Sequence, residues 1–187
     1  SLNLSNEVSA QRIFLDQAQN QEQRNMGRVG LRRMLPNTER MAELLGLDDP
    51  SIVQDVLRGA LLDPLAEATS TRGKRIRGQL VTLGYHLVSD TPACVLATKQ
   101  CGWCAAMVEL IHTGSLVIDD IEDGSSVRRG GPALHLQFGV PIAVNAGNWL
   151  YFWPFELLRE TELPVDKIFF LYEHCHRTLL RAHFGQA

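Results

Sequence analysis

Residues 92–122 contain no proline after the first position, and their apolar residues recur at intervals of three and four. That pattern predicts one long helix, entered through Ser89-Asp90-Thr91-Pro92. So long an apolar helix needs neighbours along its sides, and the rest of the chain supplies helices. Pro36-Asn37-Thr38-Glu39 reads as a turn into a helix with Met41, Leu44 and Leu45 at helical spacing. After a break at Asp49-Pro50, Ser51 is expected to cap a helix through Leu62, with Asp63-Pro64 following it. Residues 79–88 are helical in length, 124–132 form a glycine-marked loop, and a helix begins near 133. Another runs from about 141 to 159, Leu163-Pro164 breaks it, and 165–184 is the last. Residues 1–28, rich in Gln and Asn, read as a marginal helix or a mobile arm. Strand-like alternation is nearly absent, so the expected fold class is all-α.

Composition narrows the function. The 187 residues are 45% apolar and 21% charged, an ordinary globular balance enough for one domain. Lys+Arg 18 against Asp+Glu 21 leaves a net charge of −3, which argues against a broad nucleic-acid-binding surface. No apolar run approaches about 20 residues, so no transmembrane helix is expected. There is no charged-then-apolar leader, and Cys94, Cys101, Cys104 and Cys175 do not make a disulfide framework. A reducing, cytoplasmic location is the expectation.

The stretch 116–130, LVIDDIEDGSSVRRG, carries the chemistry. Asp119 and Asp123 are four apart, one helical turn, so both carboxylates share a face and repel by a few tenths of a kcal/mol on a bare helix. A hard divalent cation reverses that sign, and oxygen-only donors point to Mg²⁺, with Mn²⁺ as an alternative. A solvated acidic helix end is the bland reading. It is disfavoured because the apolar run Leu116-Val117-Ile118 leads directly into the carboxylates. Arg128 and Arg129 follow one short loop later, and arginine's planar fork matches phosphate. Upstream, Lys74, Arg75 and Arg77 sit between Gly73 and Gly78. His112 lies two turns before Asp119 on the same helical face. Acid for a metal and two separate basic clusters suggest two phosphorylated substrates, one of them metal-bound.

These residues resemble a known family. GKRIRG (73–78), ELIHTGSLVIDDIEDGSSVRRGGPALHLQFG (109–139), NAGNWLYF (145–152) and FGQA (184–187) are similar, in order, to the trans-isoprenyl diphosphate synthases, or polyprenyl synthetases, of geranylgeranyl type. The resemblance covers about residues 70–187. It implies an isoprenoid synthase-type helical bundle, a homodimer, and condensation of isopentenyl diphosphate with an allylic diphosphate. Asp119 and Asp123 would then hold Mg²⁺ on the allylic diphosphate, with Asp120 in support and Arg128 on the same diphosphate. Lys74, Arg75, Arg77, His112 and Arg129 would hold isopentenyl diphosphate. Chain length in this family follows bulk just before the first aspartate. Gly114 and Ser115 stand there and block nothing, with Ile111 a turn further back as a floor, so a C20 product is expected.

The family's second aspartate-rich motif would follow FGQ, where this chain ends, so the expected domain is incomplete at its C-terminus and weak in turnover alone. Smaller departures are Arg72 for Gly, Gly78 for Pro and Asn148 for Asp. Two other readings share part of the pattern. A class I terpene cyclase needs no isopentenyl diphosphate site, which leaves GKRIRG and the arginine pair unused. A non-catalytic subunit of a heteromeric prenyl synthase often lacks the metal carboxylates present here. Cys101-Gly102-Trp103-Cys104 resembles a redox CxxC but lies inside a helical pattern, and His174, His176 and His183 make a poor zinc site. Trp149, Tyr151, Phe152, Trp153 and Phe155 are expected to pack in the core or at a dimer face.

Overall fold

The structure, a computed structural model, describes residues 30–70, 73–89 and 95–186. The arm expected over residues 1–28 lies outside them. A 3-10 turn, Leu31–Met34, leads into α1, Thr38–Leu45. Helix α2, Ser51–Leu57, passes through a π-helical turn, Arg58–Leu62, into α3, Asp63–Ser70. Next come α4, Ile76–Val88, and the long α5, Val95–Glu122. A two-stranded antiparallel hairpin, β1 Val127–Arg128 and β2 Gly131–Pro132, precedes α6, Leu134–Phe138. Helix α7, Val140–Leu157, ends in a 3-10 turn at Leu158–Thr161, and α8 spans Val165–Gln186. The all-α reading holds, with the hairpin as the one sheet among the described residues.

Helix α5 is the axis. It packs most extensively against α7 and then α4, with α3 across one flank. Leu110 of α5, Leu150 of α7 and Leu65 of α3 are fully buried, and Val53, Met107 and Leu158 nearly so. The α5–α7 crossing is close because it is made of glycine: a Cβ on Gly114 would lie 2.7 Å from the Gly147 carbonyl oxygen. Trp153 fixes the N-terminal side by donating its indole N–H to the Met34 carbonyl at 2.7 Å. Helix α8 touches the bundle edge-on, with Tyr172 against Phe155 at a centroid distance of 5.0 Å.

Two expectations are corrected, and the count of uninterrupted apolar residues proves to understate one helix. Pro64 does not end a helix; it is buried within the continuous path from Ser51 to Ser70. It stands in the first turn of α3, and the wider π turn before it absorbs the missing N–H donor. Ser51 is not the capping side chain. Its backbone N–H donates to the Asp49 carboxylate at 2.9 Å, and that bond holds Asp49 below its ordinary pKa. Finally, Lys99–Glu122 is long and apolar enough to cross a membrane. A helix flanked by neighbours is apolar around most of its surface, and a few polar residues hide that length from a count of uninterrupted runs. This one carries buried Glu109 and Asp120 and is packed against α4 and α7.

Candidate active site

The acidic cluster stands at the C-terminal end of α5, and glycine fixes it there. Gly124 adopts a left-handed φ of +62°, its N–H donates to the Ile121 carbonyl, and the Ser125 N–H reaches back to Asp120 at 2.9 Å. This Schellman closure stops the helix one residue before Asp123. The Asp123 N–H still donates to Asp119 at 2.8 Å, so the two carboxylates keep their one-turn spacing. Asp119 is half-buried and Asp123 exposed. Carboxylates at a helix C-terminus face the negative end of the macrodipole, an arrangement that favours a bound cation.

Asp120 plays a different part. It is 3% exposed, and both its oxygens accept from Nε of Arg128, at 2.8 and 2.9 Å, while Nη2 donates to Oδ1 as well. Arg128 Nη2 also lies 3.9 Å from Asp119. The fork is thus set between the inner carboxylate and the outer pair, and Asp120 raises the guanidinium pKa further. Asp120 is occupied by arginine, which leaves Asp119 and Asp123 as the outward donors.

Arg77 and Arg129 come near His112, two turns back. The hairpin loop is Arg129-Gly130, with φ of +51° and +86°; two positive values in a two-residue loop are what a type I′ turn requires. That turn carries the Arg129 guanidinium over the GKR turn, so a Cβ on Gly73 would lie 2.9 Å from Nη1. Arg75 is also left-handed, φ +49°, at the start of α4. Both non-glycine residues with positive φ in this region are arginines. His112 is half-buried on α5. Burial holds its pKa below the ordinary 6.5, Arg77, Arg129 and Arg128 push it further down, and Glu109 opposes them. His112 is therefore neutral at pH 7. Its contribution to stability is present above pH 6.5 and is lost as pH falls through the depressed value, where the unfolded chain binds the proton first. Lys74 and Arg77 are exposed, and Arg77 is close enough to His112 to act on its charge.

Gly114 behaves differently from the expected open position. Its missing side chain is filled by α7 backbone, so packing sets its size. Ser115 donates to the His112 carbonyl at 2.9 Å and lies 3.5 Å from its Nδ1; Ile111 is half-buried. A small, solvent-open cleft is lined by Thr113, Leu116, Val117, Asp120, Arg128 and Arg129 among others. Two residues not expected near the site lie beside it. Glu109 is 7% exposed and accepts from the Gly78 N–H at 2.8 Å. Tyr151 of α7 has its pKa raised by burial, with Glu122 and Asp119 adding to the effect. The described cysteines are chemically quiet: burial pushes the Cys104 thiol up to about 11 and raises Cys101 and Cys175. Among the described residues no three His, Cys, Asp or Glu side chains form a closed metal cage. Mg²⁺ does not need one, since it takes one or two carboxylates and completes its shell with water and phosphate, and the Asp119/Asp123 pair fits that demand.

The polyprenyl synthetase family pattern matches residues 59–187. The geranylgeranyl pyrophosphate synthase of Aspergillus fumigatus is 32% identical over 156 residues, covering 81% of this chain and 40% of that protein. That of Sulfolobus acidocaldarius is 32% identical over 117 residues, 62% of this chain and 34% of the other. Among solved structures, the geranylgeranyl pyrophosphate synthetase of Pyrococcus horikoshii superposes with a TM-score of 0.63 at 28% identity, over 80% of this chain and 45% of that one. The counterpart from Geoglobus acetivorans gives 0.61 at 26%, over 73% and 44%. The chain thus spans about two fifths of the length of the curated relatives it matches. With the acidic helix end, the arginine hairpin and the GKR turn in the matched region, the chain belongs to the polyprenyl synthetase family.

Proposed function

We propose that this chain provides the first aspartate-rich motif and the isopentenyl diphosphate subsite of a prenyltransferase. It would join isopentenyl diphosphate to an allylic diphosphate and release a C20 prenyl diphosphate. One observation carries the reading: an outward carboxylate pair at the end of α5, with Arg129, Gly73 and His112 gathered two turns behind it. The spacing suits two diphosphates side by side. Asp119 and Asp123 would hold Mg²⁺, and Arg128, already aimed by Asp120, would meet the allylic diphosphate. Lys74, Arg75, Arg77, His112 and Arg129 would hold the other. When bound, Mg²⁺ neutralises the departing diphosphate and so lowers the cost of ionising the allylic C–O bond. Leu116 and Val117, the latter 6% exposed, would keep water from the resulting cation. The C20 length rests on Ser115 as a small side chain and on relatives that are geranylgeranyl pyrophosphate synthases. Exposed Phe152, Phe169 and Phe170 suit a homodimer.

Product analysis tests it. The chain, at a concentration high enough for weak turnover, is incubated with isopentenyl diphosphate, Mg²⁺ and in turn dimethylallyl, geranyl or farnesyl diphosphate. A C20 diphosphate abolished by EDTA and by Asp119→Asn is the expected result. A farnesyl product as the sole product from shorter primers would contradict the length, and a cyclised hydrocarbon would contradict the reaction class.

A further inference from the structure

Helix α4 has no side-chain cap of its own. Its N-cap is Arg75 in the left-handed region, with no capping hydrogen bond from its side chain. The first-turn N–H groups of a helix have no partner within it, and here one partner comes from α5. Glu109 Oε1 accepts from the Gly78 N–H at 2.8 Å, and Gly78 is the third residue of α4. The approach at residue 78 is close: a Cβ there would lie 3.3 Å from Glu109 Cγ, so that side chain would have to shift by a few tenths of an ångström, and 3.5 Å from Ala105 Cβ. Residue 78 must own an N–H, which proline lacks. A carboxylate only 7% exposed is costly unless it is hydrogen-bonded. Helix α4 begins beside the GKR turn, and His112 is one turn along α5 from Glu109. Arg77 immediately precedes Gly78.

We propose that Glu109 is a positioning residue: through the Gly78 N–H it pins the basic turn before α4 to α5, and so sets the geometry of the subsite formed by Arg77, His112 and Arg129. This rests on the diphosphate reading above. The bond separates two properties of Glu109. Its Oε1 holds α4 in place, while its charge acts on His112 against Arg77 of α4 and Arg128 and Arg129 of the hairpin.

Inorganic pyrophosphate is the probe, titrated calorimetrically into the whole chain without metal. Glu109→Gln keeps the acceptor oxygen and loses the charge; Glu109→Ala loses both. Glu109→Ala is expected to weaken pyrophosphate binding by about tenfold or more, as losing a supporting partner typically does. Glu109→Gln should stay close to wild type. Both should lower the NMR titration midpoint of His112, because both remove the charge that raises it, and circular dichroism identifies any variant that fails to fold. Glu109→Ala binding as tightly as wild type would overturn the proposal, and so would Glu109→Gln losing as much as Glu109→Ala. If Arg77→Ala and Arg129→Ala weaken binding while Glu109→Ala does not, the proposal fails alone. If the wild-type chain binds no pyrophosphate, the diphosphate reading fails and takes this inference with it.

Discussion

Arg129 holds a backbone conformation that glycine or asparagine adopts at less cost, φ +51° in the first central position of a tight hairpin. Strain of about 1–3 kcal/mol is kept there while the guanidinium lies over Gly73. Stability and binding therefore pull in opposite directions at this position. Arg129→Gly is expected to leave the melting temperature unchanged or slightly higher. It should weaken pyrophosphate binding by about tenfold to a hundredfold, the worth of one charged hydrogen bond. Parallel calorimetry of unfolding and of binding checks both halves. A variant that melts lower and binds normally would mean Arg129 is structural. Asp120 shows a related division at the residue scale. Of the aspartates in the motif, it is the one buried against arginine, so its carboxylate orders Arg128 and leaves Asp119 and Asp123 as the less buried pair.

The helical elements were legible because their signals are local. Spacing of three and four marks α5, Asn37 accepts from the Arg40 N–H at 2.9 Å as an N-cap should, and Leu163-Pro164 falls at the break before α8. What was not legible depends on contacts between elements. Nothing near Gly78 in sequence announces that Glu109 caps it, and nothing near Gly114 announces Gly147. The same gap explains Leu44 and Leu45, which keep helical spacing with Met41 yet are 49% and 55% exposed, because periodicity does not say which neighbour a face will meet. The α5–α7 crossing yields a prediction at this scale. Gly114→Val places a Cβ 2.7 Å from a backbone oxygen and 3.0 Å from Leu150 Cβ, so the helices must part. The expected loss is about 3 kcal/mol, the upper range of overpacking. In a chain of this size that lowers the melting temperature by about 6–12 °C. An unchanged melting temperature measured by differential scanning calorimetry would show that residue 114 faces open space, as a chain-length position should.

At the scale of the molecule, α5 organises both halves of the site. Its C-terminal end presents Asp119 and Asp123, its middle presents His112 and Glu109, and α4 and the hairpin bring arginines to it from two sides. The residues that converge come from sequence segments the resemblance had grouped, and the hollow between them is what the sequence alone did not display. The central claim is that two diphosphates bind here by different physics, one through a metal and one through fixed cations. Calorimetric titration of the chain with a slowly ionising allylic diphosphate analogue and with isopentenyl diphosphate, each with and without Mg²⁺, measures this directly. The account predicts that the allylic analogue binds only with Mg²⁺ and is lost in Asp119→Asn. Isopentenyl diphosphate should bind without metal and be lost in Arg77→Ala. Metal-independent binding of both ligands, untouched by Asp119→Asn, would contradict it.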